Sequence, residues 1–202
     1  MGYSILFMQC GSDHMTRGRC RAIDRIVIHY TGTKASARNN AIYFSRNEGQ
    51  GASANYFLDD LSDEIYQSVP DGDTAWHAGN WDMNSRSIGI EVVSAGEDFS
   101  DAEIDKLAWL VSMLMAKYGI GADGVIRHYD VTGKQCPAPY IESGRWAALK
   151  ARICGSGASG APTSFGASGS GCAGSALAGS ATELAQRVVR GEFGNGEARR
   201  NA

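Results

Sequence analysis

Only four histidines occur in the 202-residue chain, so where each one falls is informative. His29 lies near the end of the β-branched run Arg25-Ile26-Val27-Ile28-His29-Tyr30, and His128 follows the short run Val125-Ile126-Arg127. Cys136 comes eight residues after His128, across a stretch that contains Gly133. Two imidazoles and a thiolate suit Zn²⁺, and three protein ligands leave a fourth position for water. Zinc lowers the pKa of such a water to about 7, which makes hydroxide available at neutral pH. Histidines at strand ends also serve simply as hydrogen-bonding residues, and spacing by itself leaves both readings open.

These residues need a scaffold, and the hydrophobic pattern supplies one. Residues 25–30 suit a buried strand. Residues 35–46 read as a helix stopped by Gly49 and Gly51. Residues 56–58 and 65–69 read as two strands joined through the polar 59–64 stretch, 88–93 as a further strand, and 125–127 as a short one leading to His128. The clearest helix is 101–118. Ser100 and Glu103 form a capping-box pattern at its start and Gly119 follows its end. Ile104, Leu107, Ala108, Val111, Leu114, Met115 and Tyr118 make one apolar stripe, which assigns its methionine to the core. A last helix covers 144–153. The sum is an α/β domain, a mixed central β-sheet flanked by helices.

Composition sets the limits. Hydrophobic residues make up 43% and charged residues 20%, enough for a buried core. A net charge of −3 argues against a nucleic-acid binder held by bulk charge. No apolar run approaches the roughly 18–20 residues of a membrane span, so membrane insertion is not expected. Five cysteines, at 10, 20, 136, 154 and 172, form no CxxC pair and are too sparse for a disulfide scaffold. Residues 1–20 read as a leader without strong periodicity, lacking the apolar length of a secretory signal, and 11–15 look like a cloning remnant. Gly, Ser and Ala fill 21 of the 26 positions in 155–180, with no charged residue, so 155–181 is expected to be a flexible linker. A short helical tail, 182–202, completes the chain.

Four segments occur in order: Ile26-Val27-Ile28-His29-Tyr30-Thr31, Trp76-His77-Ala78-Gly79, Asn84-Ser85-Arg86-Ser87-Ile88-Gly89-Ile90-Glu91, and His128-Tyr129-Asp130-Val131-Thr132-Gly133-Lys134-Gln135-Cys136-Pro137. Together they resemble the type 2 N-acetylmuramoyl-L-alanine amidases, a group that includes phage endolysins and shares its fold with the peptidoglycan recognition proteins. The resemblance spans 25–146. It implies a peptidoglycan hydrolase that cuts the amide between N-acetylmuramic acid and L-alanine, with one zinc ion on His29, His128 and Cys136. It implies Glu91 as the base that activates water, and a lone Glu in an apolar strand is costly unless it faces a polar site. Lys134, two residues before Cys136, is implied to hold the developing oxyanion by charge. Tyr56 matches a tyrosine that lies beside zinc in some members. Trp76 and His77 are implied to line the substrate groove, and His77 as a zinc ligand ranks below Cys136; Asn84 and Arg86 are candidates for contacting substrate oxygens, and Asp130 for orienting a ligand.

The 183–196 stretch resembles the opening of a helical cell-wall-binding repeat of phage lysins, so 182–202 is expected to begin a truncated wall-binding module. Residues 1–154 carry a formal charge of −4 and 182–202 a formal +1, which fits a division between catalysis and retention on the wall. The expected partner is bacterial peptidoglycan, and the expected setting is a host cytoplasm from which the enzyme is released onto the wall. Two other readings compete: a non-catalytic peptidoglycan-binding module, and a zinc peptidase cutting within the stem peptide.

Overall fold

The computed structural model describes residues 2–155. The expected linker from 156 onwards and the expected tail therefore lie outside the described residues. Eight strands and five helices follow one another: β1 (Ser4–Phe7), β2 (Met15–Thr16), β3 (Arg25–Tyr30), α1 (Ala37–Ser45), β4 (Tyr56–Leu58), β5 (Glu64–Gln67), β6 (Thr74–Ala75), α2 (Trp81–Arg86), β7 (Ser87–Val92), α3 (Asp101–Tyr118), β8 (Val125–Arg127), α4 (His128–Thr132) and α5 (Ser143–Gly155). Six strands form one mixed sheet in the order β1-β5-β4-β7-β3-β8, and within it β4 and β5 make the antiparallel pair. None of the described helices is long and apolar enough to cross a membrane.

Strand alternation sorts the side chains onto two faces. Ile26, Ile28, Ile88, Ile90 and Val92 point to one side, where they meet Leu107, Leu110, Val111 and Leu114 of α3 and Leu149 and Ile153 of α5. The opposite face carries Phe57, which packs with Ala37, Ala41 and Phe44 of α1. Each large apolar side chain fully buried this way contributes about 1.5–3 kcal/mol. The α3 stripe therefore sets one layer of the molecule. Lys106 on the same helix is 2% exposed, and its ammonium donates to the carbonyls of Asp59 and Ser62, tying α3 to the β4–β5 hairpin.

The opening segment corrects the reading of 1–20 as a leader outside the body. β1 pairs in parallel with β5, and β2 pairs with β6. Cys10 and His14 are buried, and His14 Nε2 sits 2.6 Å from the Arg46 carbonyl. Burial pushes the Cys10 thiol up to about 12, so it behaves as a small apolar residue. These strands are four and two residues long, too short to leave a period in the sequence.

The expected cap of α3 is present in full. Ser100 Oγ accepts from the Glu103 backbone N–H, and Glu103 accepts from the Ser100 N–H. Burial, opposed by the bond from Ser100, raises the Glu103 carboxyl from 4.5 to about 7. Between those two values the folded chain holds a proton that the unfolded chain has released, so stability falls as pH rises through the window. Glu103→Gln keeps an acceptor for Ser100 without the buried charge. It is expected to gain roughly 1–3 kcal/mol over the parent at pH 8, with the two proteins converging near pH 4. Thermal unfolding at both pH values checks this, and a difference independent of pH would contradict it.

Candidate metal centre

Register brings the two histidines together. Ile28 of β3 pairs with Arg127 of β8, so His29 and His128, each one residue further on, sit side by side on the same face. Their ring centroids are 4.7 Å apart. α4 ends at Gly133, whose left-handed φ of 75° lets the chain turn back sharply. A bond from the Tyr129 N–H to the Cys136 carbonyl, 2.8 Å long, then holds the returning segment against α4. Cys136 Sγ thereby comes to 3.7 Å from His29 Nδ1. One ligand atom from each of His29, His128 and Cys136 lies within 4.8 Å of the others, and all three residues are buried.

The donor set can be tested for its fit to a metal. Among the described residues, His128 Nδ1 is buried and has no hydrogen-bond partner, an arrangement that costs about 1–3 kcal/mol unless something occupies it. The ring is engaged with the backbone of Ala78. Burial and the nearby Lys134 ammonium lower the His128 pKa to about 4, which leaves the imidazole neutral at pH 7, the form that ligates metals. An unsatisfied neutral nitrogen, a second imidazole and a buried thiol in one cluster fit a divalent ion of zinc's preferences.

Glu91 of β7 stands opposite His29 in the parallel register, on the cluster's face of the sheet. Nearby in sequence or sheet, Arg86 binds Asp24, and Arg127 binds Asp130 and the carbonyls of Tyr140 and Ile141. Lys134 is exposed and close enough to His128 to act on its titration.

Several expected site residues fall elsewhere. Tyr56 pairs with Ile90, so it projects to the α3 side, and its hydroxyl donates to Asp71 Oδ1 at 2.7 Å. Period-two alternation gives the cluster's face to its neighbours Asn55 and Phe57 instead. Arg86 ends α2 at the N-terminal edge of the parallel strands and pairs with Asp24, remote from His29 at the other end of β3. Asn84 is buried and its Oδ1 accepts from the His77 and Ala78 backbone N–H groups, at 3.1 and 2.7 Å. Asp130 binds Arg127 and not a ligand.

His77 does not line an open groove. It is 8% exposed, with Nδ1 2.9 Å from His29 Nε2 and Nε2 3.0 Å from Ser87 Oγ. Burial, with His128 and Arg19 nearby, lowers its pKa to about 3. Trp76 is half-buried, and its indole N–H donates to Thr16 Oγ1 at 3.0 Å. Sequence reasoning missed Ser87 and Gly89 as parts of this arrangement. A Cβ on Gly89 would lie 2.5 Å from His77 Cγ, so the glycine is the space the ring occupies. A glycine two residues before a lone glutamate in an apolar strand was the available signal.

Comparison with known proteins identifies the family. The family described as N-acetylmuramoyl-L-alanine amidase matches residues 19–139. A probable N-acetylmuramoyl-L-alanine amidase of Bacillus licheniformis is 34% identical over 148 residues, covering 65% of this chain and 41% of that protein. The N-acetylmuramoyl-L-alanine amidase CwlA of Bacillus subtilis strain 168 is 36% identical over 135 residues, covering 63% of this chain and 48% of that protein. The chain thus spans under half the length of these two relatives. Among solved structures, the catalytic domain of XlyA superimposes with a TM-score of 0.65 at 29% identity, covering 74% of this chain and 99% of that one. A complex of the amidase AmiD from E. coli with an anhydro-N-acetylmuramic acid peptide superimposes with a TM-score of 0.54 at 26% identity, covering 70% of this chain and 62% of that one. By the match over 19–139 and the fold it shares with these enzymes, this chain belongs to the N-acetylmuramoyl-L-alanine amidase family.

Proposed function

We propose that the chain is a zinc-dependent amidase that hydrolyses the bond between N-acetylmuramic acid and the L-alanine of the peptidoglycan stem. The observation that carries this reading is the buried convergence of His29, His128 and Cys136 beside Glu91, on the fold of this family. His29, His128 and Cys136 would hold the ion. Zinc in that position supplies Lewis acidity towards the scissile carbonyl and a source of hydroxide at neutral pH.

The remaining work falls to the chain. Glu91 takes the proton from the attacking water and passes it to the leaving amine of L-alanine. The Lys134 ammonium, exposed and near His128, stabilises by charge the negative carbonyl oxygen that develops in the reaction. The half-buried Trp76 ring offers an apolar wall to the substrate. The muramyl peptide bound by AmiD, a fold relative, supports this substrate class. A bacteriolytic role on the cell wall follows from the same reading.

Digestion of purified peptidoglycan followed by mass spectrometry of the products tests it. New free L-alanine amino termini, without new reducing sugar ends and abolished by a chelator, are expected. New termini inside the stem would make the enzyme a peptidase, and no product from zinc-loaded protein would make it a binding module.

A further inference from the structure

A directed chain of hydrogen bonds starts behind His29. His29 Nε2 lies 2.9 Å from His77 Nδ1, with the two rings edge to face at 89°. His77 Nε2 lies 3.0 Å from Ser87 Oγ, and the Ser87 hydroxyl donates to the Met83 carbonyl at 2.6 Å. A carbonyl only accepts, so the far end fixes the polarity of every bond before it. Ser87 has one proton and gives it to Met83, hence its oxygen accepts from His77 Nε2–H. A neutral imidazole has one N–H, and with that proton given to Ser87 the His77 ring has a bare Nδ1, which accepts from His29 Nε2–H. The lone pair of His29 is left on Nδ1, the nitrogen nearest Cys136 Sγ.

The same short unit reaches the second imidazole. Asn84 Oδ1 clamps the backbone N–H groups of His77 and Ala78, and the Ala78 backbone bonds the ring of His128. Gly89 leaves room for the His77 ring on β7. The loop before α2, clamped by Asn84 of α2, therefore touches both histidines without providing a ligand.

We propose that His77 is a positioning residue: through Ser87 and Met83 it holds His29 in the Nε2–H tautomer, so that Nδ1 is presented to the metal. The proposal rests on the zinc reading above. Groups bonded to the free nitrogen of a ligating histidine typically account for 10–100-fold in metal affinity.

The test measures zinc affinity by competition with a chromophoric chelator for the parent chain, His77→Leu and His77→Asn. Unfolding of each metal-free protein is recorded alongside. In the parent, long-range ¹H–¹⁵N correlation of ¹⁵N-histidine-labelled, zinc-loaded protein reads the tautomers. The expected result is one zinc per parent chain, protons on Nε2 of both His29 and His77, and affinity weakened about 10–100-fold in His77→Leu. His77→Asn, whose Oδ1 can accept in place of Nδ1, should recover most of that loss. A folded His77→Leu that binds zinc within twofold of the parent would overturn the positioning role and leave the zinc reading intact. A proton on His77 Nδ1, or a bare His29 Nε2, would overturn it even if the leucine variant fails to fold. A parent chain that binds no zinc would remove the metal reading and this proposal with it.

Discussion

Cys136→Ser is expected to bind zinc more than roughly a hundredfold more weakly than the parent, because removing a ligand should exceed the 10–100-fold cost of removing a ligand's supporting partner. Hydrolysis of peptidoglycan should fall with it. The buried thiol is 2% exposed and lies 3.7 Å from His29 Nδ1, and a serine hydroxyl is a neutral, poor ligand of similar size. The metal-free fold should therefore survive the change, which separates loss of metal from loss of structure. Cys136→Asp restores an anionic ligand and should recover part of the affinity. Equilibrium dialysis with zinc, together with thermal unfolding of the metal-free proteins, checks the series. Stoichiometric, tight zinc in Cys136→Ser would place the ion elsewhere.

Glu91→Gln is expected to keep zinc and lose turnover. Glutamine preserves the shape of the side chain opposite His29 but cannot take a proton from water or return one to the leaving amine. General acid–base catalysis of this kind contributes about 10²–10⁴-fold, and kcat should fall by that factor with KM little altered. Turnover on a defined muramyl peptide, measured beside zinc content, distinguishes the two effects. Parental kcat in a zinc-loaded Glu91→Gln protein would remove Glu91 from the chemistry.

What could be read from the sequence was decided by how local its cause is. The 101–118 helix was legible to the residue because its cap, stripe and terminal glycine lie within its own twenty positions. His29, His128 and Cys136 were legible as a set through the order of the motifs around them. The resemblance also reached Tyr56, but a strand changes face at every residue, and the β4–β7 register turns Tyr56 towards Asp71 while giving Asn55 and Phe57 to the other side. Arg86 went astray for a different reason: its partner, Asp24, is 62 residues away in sequence and announces itself by no pattern. β1 is an exposed edge strand of four residues with no alternation to detect. α2, with six residues, is shorter than two turns and carries no amphipathic period. The role of His77 depends on a hydroxyl ten residues away and a ring on another strand, and only coordinates bring those atoms within hydrogen-bonding distance.

X-ray absorption at the zinc K-edge of the zinc-loaded parent chain reads the ligands of the ion itself. One sulfur at about 2.3 Å and two imidazole nitrogens at about 2.0–2.1 Å are expected, with the sulfur contribution absent in Cys136→Ser. A shell without sulfur in the parent, or one that is unchanged in Cys136→Ser, would contradict a centre built from His29, His128 and Cys136.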